Sequence, residues 1–249
     1  MTDILLQATD ITRRFGGLTA IDKVSLDLRR GTVHAVIGTN GAGKSTLVSV
    51  LAGELAPHEG SIRLERQDIT RWTQPRRARA GLGRSYQRTT IFPTLTVHEN
   101  CRIAAQANRQ EFWNWISPAR NCRYSNEAAL EALELTGLQD HANHTAGLLS
   151  HGGKRQLEIA MSLATRPSVL LLDEPLAGMG SEETDRMLAL LASLKSDHAI
   201  LLIEHDMDAV FKIADEITVM VNGRVIANGE PQAIRSNPEV QTAYLGEDE

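Results

Sequence analysis

Residues 34–46 read HAVIGTNGAGKST, and the chain continues as LVSVLAGEL. A short apolar run suited to a strand gives way to a glycine-rich turn. The residues after the turn have the spacing of a helix that ends near Gly53 and Pro57. Strand, turn and helix in that order belong to an α/β sheet. Gly38, Gly41 and Gly43 let the backbone curl so that successive amide N–H groups face one point, an anion cradle at a helix start. The stretch fits G-x-x-x-x-G-K-[ST]. In such a loop Lys44 reaches the outer phosphates of a nucleoside triphosphate, and the Ser45 hydroxyl suits Mg²⁺. The nine residues Gly38, Thr39, Asn40, Gly41, Ala42, Gly43, Lys44, Ser45 and Thr46 are therefore predicted to bind nucleotide.

A nucleoside triphosphate site needs acids as well. VLLLDEP at 169–175 is an apolar strand whose carboxyl edge carries Asp173 and Glu174, at the edge where α/β sheets bind ligands. Asp173 is placed to hold Mg²⁺, and Glu174 to deprotonate a water. Taken alone, the two acids serve equally as a helix N-cap. Asp173 follows Lys44 at too great a distance for a compact kinase or small GTPase core, so a large insert is expected between the halves of the site. Gln87 in GRSYQRTTIF and His205 in LLIEHD also close apolar stretches. In isolation both read as loop-capping polar residues, and only the whole set makes them candidates for Mg²⁺ and γ-phosphate contacts.

The rest of the pattern is strand–helix alternation interrupted by helices. ILLQATDI, VSLDL and SIRLE read as strands in the first third. VHENCRIAAQAN, NEAALEALELTGL and KRQLEIAMSLAT show helical apolar spacing in the middle. SVLLLDE, HAILLIEHD and EITVMVNGRVIANGE read as buried strands, long enough in apolar residues to be parallel strands covered on both faces. The pattern is an α/β core with a helical insert. The Arg-rich RRARAGLGR at 76–84 reads as a solvated helix face and loop. Phe112, Trp113 and Trp115 fall together in EFWNWISPAR, either as core of the helical part or as a partner contact.

Composition excludes several classes. A chain of 249 residues with 42% hydrophobic and 23% charged residues suits a globular domain, and a net charge of −5 gives no general attraction to nucleic acid. The two cysteines, Cys101 and Cys122, lack zinc spacing and are expected to be reduced thiols. No apolar run reaches the roughly 18–20 residues of a membrane helix, so a cytosolic location is expected, with any membrane link supplied by another polypeptide.

One further stretch, LLSHGGKRQ at 148–156, puts two glycines at the mouth of a helix, where they cost stability. Ser150 as an N-cap explains the helix start. A site for an anion explains the glycines, because Gly152 and Gly153 leave their amides open.

With these motifs in order, the chain resembles the ATP-binding subunits of ABC transporters over essentially its full length. Phe15 falls where that family stacks an aromatic on adenine. Gly38 to Thr46 matches the phosphate loop, Gln87 the Q-loop, and Leu149 to Lys154 the signature. Asp173 and Glu174 match the Walker B pair, Ala177 to Gly180 the D-loop, and His205 the switch histidine. The resemblance implies an α/β fold of the P-loop NTPase (RecA-like) type, with an N-terminal antiparallel β subdomain and an inserted α-helical subdomain. It implies one ABC ATPase domain over 1–249, with 1–94 and 166–249 as core plus β subdomain and 95–165 as the helical part. It implies ATP and Mg²⁺ as cofactors, with Glu174, His205 and Gln87 catalytic, and Ser45, Gln87 and Asp173 around Mg²⁺.

Ser150, His151, Gly152 and Gly153 would contact ATP held by a second ATPase subunit. Two transmembrane permease subunits and, indirectly, a solute-binding protein would be partners, at the cytoplasmic face of the membrane. Two departures stand out: His151 and Gly153 replace a glycine and a glutamine of the signature, and Gly180 stands where the D-loop has aspartate. Within the family the chain looks most like importers of branched-chain amino acids, urea and related solutes. Alternatives are an ATPase of the lipopolysaccharide-export type and a cytosolic ABC ATPase without a transport role.

Overall fold

The computed structural model describes residues 3–86, 90–108 and 119–245. The chain first forms β1 (Ile4–Phe15), β2 (Leu18–Arg29) and β3 (Val33–Gly38), followed by helix α1 (Lys44–Ala52). Next come β4 (Glu59–Leu64), β5 (Gln67–Asp68), α2 (Gln74–Arg79) and β6 (Leu82–Arg84). Helices α3 (Val97–Asn108), α4 (Arg123–Leu135) and α5 (His151–Ala164) occupy the middle. Strand–helix alternation then returns with β7 (Val169–Asp173), α6 (Ser181–Leu194), β8 (Ala199–Ile203) and α7 (Met207–Ile213). The chain ends with β9 (Glu216–Val221), β10 (Arg224–Gly229), α8 (Pro231–Arg235) and α9 (Pro238–Leu245).

Two sheets result. β2-β1-β4-β5 is an antiparallel sheet, and β10-β9-β3-β8-β7-β6 is parallel except for β10. The near-continuous apolar runs of β7 and β8 are buried on both faces, as read from sequence. Val169 and Leu171 join the core under the antiparallel sheet and α1, while Leu170 and Leu172 face the core of α3, α4 and α5. Each such fully buried aliphatic side chain contributes about 1.5–3 kcal/mol relative to exposure.

Two readings of the sequence need correction. RRARAGLGR is solvated only in part: Arg76 and Arg79 are exposed, but Arg77 is almost fully buried, and residues 82–84 form β6 beside β7. Arg77 donates to the carbonyls of Val50 and Leu51 at 2.8 and 2.6 Å, and also to those of Thr70 and Trp72. It thereby satisfies acceptors that the C-terminus of α1 leaves open, and burial holds its guanidinium down to about 10. EITVMVNGRVIANGE is a hairpin whose second strand, β10, is antiparallel and only partly buried, not a parallel strand covered on both faces. Asn222 and Gly223 both take positive φ, the requirement of a tight two-residue turn that Asn-Gly meets.

Candidate functional site

The loop between β3 and α1 is shaped by close backbone contacts. A Cβ on Gly38 would lie 2.1 Å from the Met220 carbonyl oxygen, and one on Gly43 would lie 2.4 Å from that of Ala20. Gly43 also takes φ 98° as it leads into α1. The hairpin turn backs the loop, with Gly223 N donating to the Ala42 carbonyl at 3.0 Å. No side chain caps the start of α1, so its positive end stays open toward the loop. Lys44 Nζ donates to the carbonyls of Gly38 at 2.6 Å and Thr39 at 3.0 Å, which stores the ammonium on the loop itself. Ser45 is exposed beside it.

Asp173 ends β7 and is buried, with Oδ1 making no hydrogen bond. Burial pushes its carboxyl up; the charges of Arg84 and Lys44 oppose this, and that of Glu174 adds to it. Lys44, Asp173 and Glu174 thus share one electrostatic neighbourhood at the carboxyl ends of β3 and β7. Glu174 takes φ 50° and donates its backbone N–H to the Ile203 carbonyl at 2.9 Å. A left-handed conformation is uncommon for a residue with a long side chain, and such strain concentrates at functional positions. No helix begins there, so the acids are not an N-cap; Gly180 precedes α6 instead.

His205 follows β8 and is exposed. Beneath it lies Glu204, which the sequence reading passed over. Its carboxylate accepts from Leu176 N at 2.8 Å and from His205 N at 3.3 Å, and it lies 3.8 Å from His205 Nδ1. Burial raises its pKa, and the carboxylate staples the turn after Glu174 to the end of β8. The available signal was an acid placed directly after five apolar residues in AILLIE.

Phe15 ends β1, half exposed, with the Arg13 guanidinium 4.9 Å from its ring centre. Gln87 lies outside the described residues, as do Phe112, Trp113 and Trp115. The chain on either side of Gln87 is held by α5. Arg155 donates to the Tyr86 carbonyl at 2.9 Å and to Glu158 at 2.9 Å, and Glu158 accepts from Thr90 N at 2.7 Å. Both members of this ion pair are buried.

Ser150 does cap α5, its Oγ accepting from Gly153 N at 3.0 Å. His151 Nε2 reaches the Ala177 carbonyl at 3.0 Å, and Ser150 Oγ donates to Glu183 at 3.3 Å. These bonds tie the start of α5 to the segment after β7. None of these bonds reaches the loop at 38–46.

A glycine-rich loop at the end of β3, an acid pair at the end of β7 two strands along, and a helix start carried by the helices between β6 and β7 are the features of an ATP-binding cassette. The profile described as "ABC transporter" matches residues 21–177. The chain belongs to the ABC transporter family, as its ATP-binding and ATP-hydrolysing subunit. A profile for the branched-chain amino acid ATP-binding cassette transporter matches residues 224–249.

The chain is 41% identical to the high-affinity branched-chain amino acid transport ATP-binding protein BraF of Pseudomonas aeruginosa, over 99% of this chain and 100% of that one. It is 39% identical to the corresponding LivG protein of Escherichia coli K12, again over 99% and 100%. The crystal structure of the ADP conformation of MJ1267, an ATP-binding cassette of an ABC transporter, superposes with a TM-score of 0.86 at 30% identity. The match covers 98% of this chain and 100% of that one.

Proposed function

We propose that the chain hydrolyses ATP to drive a high-affinity importer of branched-chain amino acids, working as one of two ATPase subunits beneath two membrane permeases. The observation that carries the reading is the bare, buried Oδ1 of Asp173 beside Lys44 at the phosphate loop. The substrate class rests on BraF and LivG, matched end to end, and on the profile at 224–249. Among the described residues no helix is long and apolar enough to cross a membrane, which is consistent with a peripheral subunit recruited by permeases.

In this reading Gly38 to Thr46 wrap the phosphates, and Lys44 exchanges its two loop carbonyls for β- and γ-phosphate oxygens. Phe15 stacks on adenine. Ser45, Asp173 and Gln87 offer the hard oxygen atoms that Mg²⁺ prefers, and the unpartnered Asp173 Oδ1 fits that assignment. Bound there, Mg²⁺ would neutralise charge on the β- and γ-phosphates. Glu174 takes a proton from the attacking water, and His205 holds the γ-phosphate from the carboxyl end of β8, between β3 and β7. The amides of Gly152 and Gly153, with Ser150 and His151, meet the γ-phosphate of ATP held by the second subunit.

Residues 95–165 act as the moving helical part against the core at 1–94 and 166–249. A groove of about 210 Å³ between them, lined by Gln74, Tyr86, Thr90, Ala104 and Met161, supports permease docking next to Gln87. A solute-binding protein acts only through those permeases.

The test is a pair of variants in the reconstituted transporter. Glu174→Gln is expected to bind ATP and trap the dimer with little turnover. Lys44→Ala is expected to lose on the order of 10²-fold in rate, the scale of removing one transition-state donor. Parental hydrolysis by Glu174→Gln would overturn the base assignment, and by Lys44→Ala the phosphate-loop assignment.

A further inference from the structure

Ser150 has one hydroxyl proton to give. Its oxygen accepts from Gly153 N at 3.0 Å, and its proton goes to Glu183 Oε1 at 3.3 Å. Glu183 is the third residue of α6, and its carboxylate rests against the first turn of α5. A Cβ placed on Gly152 would lie 2.7 Å from Oε1 and 3.2 Å from Oε2. Ser150, Gly152, Gly153, Met179, Glu183 and Arg186 enclose a cavity of about 40 Å³ at this contact. Two acids occupy the first turn of α6, where an anion is favoured, but they behave differently. Glu182 faces Arg186 on its own helix at 3.9 Å, whereas Glu183 turns across to the start of α5.

We propose that Glu183 is an internal anion of the signature site and sets the ATP concentration at which this chain closes with a second ATPase subunit over nucleotide. The inference rests on the reading of Ser150 to Gly153 as a contact to ATP held by the other subunit. A γ-phosphate arriving at that helix start competes with Glu183 for the single Ser150 proton. It also meets a carboxylate of its own sign at contact distance from Gly152. Closure therefore requires Glu183 to give up Ser150 and withdraw from Gly152. A neutral side chain of the same shape removes the repulsion, keeps the packing against Gly152, and turns part of the group into a donor.

The experiment uses the full chain carrying Glu174→Gln, with dimerisation followed by light scattering as ATP is raised. Adding Glu183→Gln is expected to lower the half-saturating ATP concentration about tenfold, the equivalent of about 1.4 kcal/mol. Glu183→Ala should shift it in the same direction. ATP binding measured below the dimerising protein concentration should not change, because that binding uses the phosphate loop, Phe15 and the strand-end groups of the same chain and not Glu183. An unchanged or raised ATP requirement in both Glu183 variants overturns the proposal. Ser150→Ala in the same background separates the two levels of inference. If it leaves dimerisation unmoved, the reading of the signature falls and the proposal with it. If it weakens dimerisation while the Glu183 variants do nothing, the proposal alone falls.

Discussion

His151 Nε2 donates to the Ala177 carbonyl at 3.0 Å, across to the segment that follows Glu174. The ring also covers Gly178, whose added Cβ would lie 3.2 Å from the same nitrogen. His151 is thus a strut within its own chain, tying the start of α5 to the loop at 177–180. His151→Gly removes that strut and adds a third consecutive glycine to the helix start. The expected result is a several-fold lower rate of ATP hydrolysis with unchanged ATP binding to the monomer, read by steady-state kinetics and calorimetry. A rate equal to the parent's would mean that the strut does not transmit to the site.

Most of the fold was legible in sequence because its signals are local. Strand β3, the glycine turn and α1 are contiguous, and the apolar runs of β7 and β8 announce burial on both faces. Helix α3 begins and ends where its apolar spacing begins and ends. The misread parts depend on distant partners. Arg77 looks like surface charge until the open carbonyls of α1 are packed over it. Strand β6 has three residues and exists because β7 lies beside it. Glu183 matters through Ser150 and Glu204 through Leu176, partners that only folding brings within reach.

The Arg155–Glu158 pair is buried, and each member also holds backbone next to residues 87–89. Truncating one member strands the other charge away from water, at a cost of about 3–5 kcal/mol. Glu158→Ala or Arg155→Ala is therefore expected to be strongly destabilised in urea unfolding. Replacing both together by Leu and Met should recover a large part of the loss, because no charge is then left unpaired. Single variants within about 1 kcal/mol of the parent, the range of exposed pairs, would contradict burial as the deciding factor.

Arg77 acts through geometry that lysine cannot copy. Its fork reaches Val50, Leu51 and Thr70 through Nη1 and Nη2 while Nε reaches Trp72. A lysine ammonium offers a point charge where a planar fork is needed. Arg77→Lys is expected to cost about 1–3 kcal/mol of stability, the price of a buried acceptor left unsatisfied. Hydrogen exchange should locate the loss at the C-terminal turn of α1. Exchange there as slow as in the parent would show that another group caps those carbonyls.

Asp173 makes stability depend on pH in a direction opposite to that of a salt-bridged carboxylate. Burial raises its folded-state pKa above the unfolded value of about 3.9, so the folded state keeps its proton to higher pH. Between those two values the folded state binds more protons, and stability falls as pH rises. Above both, the penalty of a buried charge stays in full. Asp173→Asn removes that penalty. Without nucleotide and metal it should raise the melting temperature at neutral pH by a few degrees, since about 1 kcal/mol corresponds to about 2–4 °C for a chain near this size. The advantage should shrink as pH falls and vanish below about pH 4, near the unfolded pKa. Differential scanning fluorimetry across pH reads this directly. A melting temperature at pH 7 below the parent's would mean that attraction to Lys44 and Arg84 outweighs burial, reversing the sign argued here. The same variant should lose hydrolysis despite its greater stability, which separates a carboxylate kept for chemistry from one kept for the fold.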